Sequence, residues 1–249
     1  MSSLSVLVTR PELQSRALAR ILSDQGFTAI VAPMIEIRPL EQAQLAVAST
    51  GLTQLKTADA VIFVSRNAFH FFTQICAQAG IDYPASTAWY AIGDATAEAM
   101  IAEDLIPVTP EAHYDSESLL SLETLQQVRG ESLIVVAGLG GRRQIEDTLR
   151  DRGANVSRLE LYRREPVEHK VLKIDGEPDV MTAMSGETVQ SLAGHVKLLD
   201  RGWLKKPLFV PSARAAQVAF DVGFQRVRVT QEASTKSLLE ALCRYRAEV

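Results

Sequence analysis

Ser65, Arg66 and Asn67 form a polar stretch directly after the apolar run Ala-Val-Ile-Phe-Val at residues 60–64. A hydroxyl, a guanidinium and an amide therefore stand together where a buried strand is predicted to end. Serine is a preferred N-cap residue, so helix capping is the simplest interpretation of this stretch. The same groups could bind an anion, because a helix N-terminus offers free N–H groups and partial positive charge.

Polar or small residues follow several other apolar runs in the same way. In open parallel sheets such positions share the edge at which ligands bind. For each residue alone, a cap or a tight turn is the simpler interpretation. If two such edges face each other, they form a cleft suited to a polyanion, with these candidate binding residues: Thr9, Arg10, Ser65, Arg66, Asn67, Gly93, Asp94, Thr96, Gly138, Gly140, Gly141, Ser185, Gly186 and Ser212.

Tyr162 is the candidate proton donor, within the stretch Leu-Tyr-Arg-Arg at residues 161–164. A tyrosine phenol keeps its proton at neutral pH and can donate it or a hydrogen bond. An amphipathic tyrosine at an interface is the alternative interpretation. The position of Tyr162 at the end of a predicted linking strand favours the chemical role.

Other sequence motifs are weak. The glycines at 138–141 are spaced GxGG rather than GxGxxG, although Glu160 lies near the place of a ribose-binding acid. A tight strand-to-helix turn explains those glycines equally well. The four histidines are scattered, and no Cys/His cluster appears, so we expect no metal site.

Short apolar runs alternate with amphipathic, helix-like segments along the whole chain. Apolar strands separated by helices are typical of parallel sheets covered on both faces, so the predicted fold class is α/β. The predicted strands lie at residues 4–8, 29–32, 58–64, 88–92, 106–108, 133–136, 156–161, 180–183, 208–210 and 227–229.

The sequence contains an internal repeat. Four segments match four others: 4–33 with 131–160, 59–72 with 179–192, 90–99 with 208–217, and 108–120 with 229–239. Matching segments of this kind predict two similar α/β domains, with Ser65 equivalent to Ser185. The simplest boundary would lie near residue 128. Residues 33–40 and 158–167, however, alternate apolar and polar side chains, which predicts half-exposed strands that could pair with each other.

Composition limits the class of protein. The chain has 249 residues, 47 % of them hydrophobic, which suffices for one large or two modest domains. A net charge of −4 argues against non-specific nucleic-acid binding. No apolar run approaches the roughly 20 residues that span a bilayer, and no signal peptide is evident, so we expect a cytoplasmic protein. The two cysteines are expected to be free thiols.

The ordered set of motifs resembles the uroporphyrinogen-III synthase family over nearly the whole chain. The stretches that carry the resemblance are VLVTRPELQSRALARILSDQGF, IFVSRNAF, YAIGDATA, LGGRRQIEDTLRDRGANVSRLELYRREP, AMSGETVQSL and VPSARAAQVAFDVGFQRVRVTQEASTKSLLEAL. No single motif is diagnostic, and the specificity lies in their order.

The resemblance implies two flavodoxin-like α/β domains joined by a two-stranded β-ladder, with the catalytic cleft between them. It also implies that the chain crosses over. Residues 1–36 and 168–249 would form one domain, residues 40–160 the other, and residues 33–40 and 158–167 the linkers. The segments 4–33 and 131–160 would then have exchanged places between the domains.

The implied reaction closes hydroxymethylbilane, a linear tetrapyrrole, to uroporphyrinogen III with inversion of ring D and loss of water. The resemblance thus implies a lyase that uses no cofactor. The family's tyrosine falls on Tyr162, the expected general acid, and its pocket residues fall on Ser65, Gly93, Thr96, Ser185 and Ser212. The chain departs from the family at Met184, where threonine is frequent, and at Pro211, which replaces a glycine-containing turn. Ser65 and Ser185 are expected to face each other across the site, with the substrate leaning towards Ser65.

Two other functions fit the residues. A non-enzymatic two-domain protein that binds a small anionic metabolite would use the same cleft, and a nucleotide-dependent enzyme would use the glycines at 138–141. For the synthase we expect a small-molecule polyanion as substrate, no nucleic-acid or membrane partner, and a monomer. A transient contact with the preceding enzyme of the pathway is also expected.

Overall fold

The computed structural model of the chain describes residues 3–41, 52–111, 115–168, 174, 176–199, 202–231 and 234–249. Parts of the fourth repeat pair, at 112–114 and 232–233, lie outside the described residues, as do His113 and His169. The chain divides into two compact units, one of residues 1–36 with 165–249 and one of residues 37–164. We refer to them as the terminal unit and the central unit.

Strands and helices alternate along the chain. The strands are β1 (Ser5–Val8), β2 (Thr28–Val31), β3 (Ile35–Pro39), β4 (Ala60–Phe63), β5 (Ala88–Ala91), β6 (Pro107–Val108), β7 (Ser132–Gly138), β8 (Asn155–Pro166), β9 (Val180–Thr182), β10 (Pro207–Val210) and β11 (Arg226–Val229). The α-helices of the described residues are α1 (Glu12–Asp24), α2 (Arg66–Ala79), α3 (Asp94–Ile101), α4 (Ser116–Leu120), α5 (Gln144–Asp151), α6 (Gly186–Leu199), α7 (Ala213–Asp221) and α8 (Thr235–Glu248).

The two sheets share one strand arrangement. The terminal unit has the order β11-β10-β9-β1-β2, and the central unit has β3-β8-β7-β4-β5-β6. All four neighbouring pairs of the terminal sheet are parallel, and so are the four pairs from β8 to β6 in the central sheet, where β3 is an additional edge strand. The unit β1-α1-β2 therefore occupies the place in one sheet that β7-α5-β8 occupies in the other. The predicted repeat and the α/β fold class are both confirmed.

Strands β3 and β8 are neighbours at the edge of the central sheet. The N–H of Val167 donates to the carbonyl of Met34 at 3.0 Å, and that of Leu40 donates to Leu161 at 3.4 Å. From Met34 to Leu40 the numbering through β3 rises by six, while the bonded residues on the other strand fall by six, from Val167 to Leu161. The two strands therefore run antiparallel. The predicted pairing of the two alternating segments is confirmed, and β8 runs as a single strand of 12 residues.

The core of the central unit lies on both faces of its sheet. Val61 and Phe63 pack on one face with Phe72 and Trp89, while Ile62 packs on the other with buried residues of α5. Successive side chains of a strand point to opposite faces, so a strand that is apolar throughout is buried on both sides. The continuous apolar runs of the sequence have this cause. No helix in the described part of the chain is long and apolar enough to cross a membrane.

The two cysteines should differ in reactivity. Cys76 is 1 % exposed, and burial raises the pKa of its thiol to about 11, whereas Cys243 is half-buried. Thiolate is the nucleophile, so Cys76 should resist a disulfide reagent at pH 8 until the protein unfolds. We expect at most one thiol to react in the native protein and two in denaturant. A native Cys243→Ser variant that still reacts at once would contradict this assignment.

Candidate active site

The Ser65 hydroxyl both caps a helix and contacts the hydroxyl of a tyrosine. It lies between β4 and α2 with an extended backbone, and its Oγ accepts from the N–H of Ala68 at 3.0 Å. The same Oγ lies 2.9 Å from the phenol oxygen of Tyr162, which is 97 residues away in the sequence. The capping interpretation of Ser65 is confirmed. The hydroxyl also has a second partner in the candidate site, so the cap and the chemical roles are compatible.

Tyr162 lies on β8 and is 5 % exposed. Its ring stacks on that of Phe71 from α2, with the centroids 5.5 Å apart and the planes inclined by 16°. Gly138 at the end of β7 lies so close to the ring that a Cβ there would be 2.7 Å from the Tyr162 Cε2 atom. The phenol is therefore held by packing as well as by its hydrogen bond.

A β-bulge directs Tyr162 into this position. Ala137 pairs with Glu160 but Gly138 pairs with Tyr162, so Leu161 is the extra residue of β8. Consecutive strand residues normally point to opposite faces, yet Leu161 and Tyr162 both pack in the cluster around Phe63. Bulges commonly re-aim side chains next to active sites. The N–H of Leu139 donates to the carbonyl of Tyr162 at 2.7 Å and fixes the bulge.

Arg158 holds the loop that follows β7. Its guanidinium donates to the carbonyls of Gly138, at 3.2 Å, and Gly140. It also forms ion pairs with Glu146 and, at 2.9 Å, with Glu160. Burial by itself lowers the pKa of Arg158, but the hydrogen bonds and charges of the two glutamates outweigh it and raise the pKa.

The glycines after β7 form a tight turn. Gly140 and Gly141 have φ values of +76° and +83°, in the left-handed region that side chains disfavour. The carboxylate of Glu160 accepts from the N–H of Gly140 at 3.2 Å and from Arg158. Glu160, the candidate ribose-binding acid, is therefore hydrogen-bonded to the glycine turn and to Arg158. This favours a structural turn over a dinucleotide-binding loop.

The terminal unit carries an equivalent cap after β9. Ser185 accepts from the N–H of Thr188 at 3.1 Å, and its Oγ lies 2.8 Å from the Thr188 hydroxyl. Ser212 caps α7 by accepting from the N–H of Ala215 at 3.3 Å. The strand-end serines of both units are thus N-caps, and Gly186 opens α6.

Thr9 and Arg10 end β1 in different surroundings. Thr9 is fully buried, and its hydroxyl donates to the carbonyl of Thr182 at 2.5 Å. Its environment gives no support to the predicted contact with substrate. Arg10 is half-buried and donates to the Thr235 hydroxyl at 3.1 Å, and burial lowers the pKa of its guanidinium. A partly desolvated guanidinium at a strand end retains the chemistry that binds a carboxylate.

The remaining candidates lie at the starts of α2 and α3 in the central unit. Arg66 is exposed and Asn67 half-buried in the first turn of α2. Gly93 precedes α3 with an extended backbone, Asp94 is exposed, and Thr96 is 3 % exposed. Their contact with substrate stays a prediction.

The structure brings together Ser65, Gly138 and Tyr162, and adds two residues that sequence reasoning missed. Phe69 and Phe72 belong to the buried apolar face of α2, whereas Phe71 lies outside that face. A large aromatic residue outside the buried face was the sequence feature that could have identified Phe71 as a site residue. Arg158 had a weaker signal, its two-residue spacing from Glu160 on one strand. Among the described residues no group of three His, Cys, Asp or Glu side chains is placed to hold a metal ion.

Replacing Ser65 by alanine should destabilise the protein more than an ordinary cap loss. The change removes the cap, worth about 1 kcal/mol, and leaves the buried phenol of Tyr162 without this partner, worth about 1 kcal/mol more. Ser234 caps α8 by accepting from the N–H of Ser237 at 3.1 Å, so Ser234→Ala is the matched control. Urea unfolding of the two variants measures the difference, and equal losses would contradict the Ser65–Tyr162 bond.

The chain is similar to known proteins over most of its length. A family model described as uroporphyrinogen-III synthase HemD matches residues 16–240. The uroporphyrinogen-III synthase of Escherichia coli (strain K12) is 31 % identical over 254 residues, covering 96 % of this chain and 100 % of that protein. That of Proteus mirabilis is 34 % identical over 162 residues, covering 65 % of this chain and 80 % of that protein.

Solved structures show the same fold. A mutant uroporphyrinogen III synthase from the extremely thermophilic bacterium Thermus thermophilus superposes with a TM-score of 0.62 at 18 % identity, covering 99 % of this chain and 100 % of that one. A uroporphyrinogen-III synthetase from Helicobacter pylori 26695 gives a TM-score of 0.60 at 12 % identity, covering 98 % and 99 %. With the family model matched over most of the sequence, the chain belongs to the uroporphyrinogen-III synthase HemD family.

Proposed function

We propose that this chain is a uroporphyrinogen-III synthase, a lyase that closes hydroxymethylbilane to uroporphyrinogen III with inversion of ring D and loss of water. The observation that carries the proposal is the family match over residues 16–240. The site in the central unit is consistent with this chemistry, because it presents a nearly buried phenol that can donate a proton.

Tyr162 is the proposed general acid for the leaving hydroxyl. Either hydroxyl could donate in the 2.9 Å bond between Ser65 and Tyr162, and we propose that Ser65 donates, since its Oγ already accepts from the N–H of Ala68. The phenol proton is then left to point at the substrate. Proton donation of this kind contributes typically about 10²–10⁴-fold in rate.

In the proposed reaction the Tyr162 phenol first gives up a proton and later regains one. The bond from the terminal methylene carbon to its hydroxyl breaks, and the phenol proton leaves with that oxygen as water. The cationic azafulvene that remains bonds to the substituted α-carbon of ring D and gives a spiro intermediate. The bond from that carbon to the methylene group of ring C then breaks, which leaves an azafulvene cation on ring C. This cation bonds to the free α-carbon of ring D, which inverts the ring, and that carbon then loses its proton. That proton restores Tyr162. The half-buried ring of Phe71, which stacks on Tyr162, offers a π-face that attracts a delocalised cation.

Backbone N–H groups are proposed to receive substrate carboxylates in the central unit. The starts of α2 and α3 supply them at Ser65, Asn67 and Gly93. In the terminal unit Arg10, Ser185 and Ser212 have the matching chemistry, and their contacts with substrate stay predictions. Thr9 is left out of the proposed set because its hydroxyl is buried and engaged.

An isomer assay tests the function directly. Hydroxymethylbilane is generated in situ, the products are oxidised, and isomers I and III are separated. We expect isomer III in excess over the isomer I that forms spontaneously. Isomer I alone would sink the proposal, and binding of the tetrapyrrole without turnover would favour the metabolite-binding alternative.

The compartment, the oligomeric state and the partners of the enzyme are proposed from general properties of the chain. It acts on a small molecule, and we propose that it works as a cytoplasmic monomer with transient contact to the preceding enzyme of the pathway. The acidic net charge of −4 is consistent with a protein that binds no nucleic acid. Light scattering should give a mass near 27.3 kDa, and twice that value would contradict the monomer.

A further inference from the structure

We propose that Arg158 is a positioning residue that acts through Tyr162, an inference that rests on the proposed function. Its guanidinium makes contacts with two acidic side chains and with two carbonyls of the loop after β7. None of these partners is the phenol itself. The connection to Tyr162 runs through the loop that Arg158 fixes.

The ion pair at its centre is buried. The side chain of Arg158 is 11 % exposed and that of Glu146 is 1 % exposed, whereas Glu160 is 25 % exposed. Ion pairs with this little solvent are weak evidence for stability, since desolvating both charges offsets their attraction. A buried ion pair beside a candidate site is better explained by geometry, because the rigid, planar guanidinium of Arg158 fixes the positions of the groups that it bonds.

That geometry is transmitted to the phenol by two contacts. Gly138, whose carbonyl accepts from Arg158, lies directly against the Tyr162 ring. Leu139, the next residue of the loop, donates its N–H to the Tyr162 carbonyl at 2.7 Å. A loop released from Arg158 would let both contacts move, and the phenol oxygen would lose its fixed distance to Ser65.

A paired substitution tests this without leaving a buried charge. Arg158→Met alone strands the Glu146 carboxylate, so the informative variant is Arg158→Met with Glu146→Leu, which keeps the volume apolar. Arg150→Met is the matched control. Arg150 also joins an acid of α5, Asp147, to a carbonyl of β8, that of Val156, but it is not bonded to the 138–141 loop.

The first readout is the rate of isomer III formation, measured with Tyr162 and with Tyr162→Phe. In the Tyr162 background the paired variant should be slower on the order of 10- to 100-fold, as expected when a catalytic group is misplaced by about 1 Å. In the Tyr162→Phe background it should be slower by less than about twofold, because the same contribution is already lost. Equal fold-losses in both backgrounds would mean a purely structural role and would overturn the proposal.

The second readout does not depend on activity. Tyrosines are replaced by 3-fluorotyrosine, and the Tyr162 signal in the ¹⁹F spectrum is assigned by its absence in Tyr162→Phe. The paired variant should shift or broaden that signal, and Arg150→Met should leave it unchanged. An unchanged signal in the paired variant would overturn the inference. If the unsubstituted protein makes no isomer III, the proposed function fails, and this spectrum alone decides the positioning role.

Discussion

Replacing Tyr162 by phenylalanine is expected to slow formation of isomer III on the order of 10²-fold while the fold is kept. The phenylalanine ring retains the stacking on Phe71 and the fit against Gly138, so the local packing survives. Ser65 keeps its bond to the N–H of Ala68, so α2 stays capped. The loss in unfolding free energy should be about 1 kcal/mol, the value of one hydrogen bond.

Tyr90→Phe is the matched control for that experiment. Tyr90 is 4 % exposed in the same sheet, and it packs in the cluster on the opposite face from Tyr162. Removing its hydroxyl should leave the rate of isomer III formation unchanged. Full activity in Tyr162→Phe would remove the phenol from the mechanism, and equal losses in the two variants would show that the effect is not specific to Tyr162.

Much of the fold could be predicted from sequence because its signals are local. Each predicted apolar run coincides with a strand, and the matched segments 4–33 and 131–160 occupy equivalent places in the two sheets. The alternating segments around β3 and β8 pair as expected. These features depend on side-chain period and segment order, which are written directly in the sequence.

The candidate site could be predicted only in part, because register is not local. Thr9 and Ser65 both follow buried strands, and sequence treats them alike. The Thr9 hydroxyl points to the neighbouring strand and bonds Thr182, whereas that of Ser65 reaches Tyr162. Which direction a strand-end hydroxyl takes depends on its neighbours in the sheet, and these are set by the topology of the whole unit.

The contact between Ser65 and Tyr162 depends on one extra residue. Without the bulge at Leu161, alternation along β8 would place Leu161 and Tyr162 on opposite faces of the sheet. Sequence patterns rarely reveal a bulge, and here the clue was Gly138, which stands opposite it. The role of Arg158 could not be predicted from sequence for a similar reason. Its buried acidic partner, Glu146, lies on α5 and not on the strand that carries Arg158.

Gly138→Ala therefore tests the same contact from the strand that lies opposite the bulge. The backbone of Gly138 is not in the left-handed region, so alanine adds no backbone strain. The added Cβ would lie 2.7 Å from Cε2 and 2.8 Å from Cζ of Tyr162, which forces the ring or the strand to move. The ring is backed by Phe71, so we expect a loss of about 1–3 kcal/mol in unfolding free energy.

Activity should fall with stability in Gly138→Ala, because the phenol oxygen is displaced from Ser65. The rate of isomer III formation should drop on the order of 10²-fold, and little further when Tyr162→Phe is added. Gly186→Ala is the stability control. Its Cβ would meet Val218 at 3.5 Å, an ordinary contact, so alanine at this first position of α6 should change the unfolding free energy by less than about 1 kcal/mol. If urea unfolding placed both glycine variants at or above the unsubstituted protein, the close fit of Gly138 against Tyr162 would be refuted.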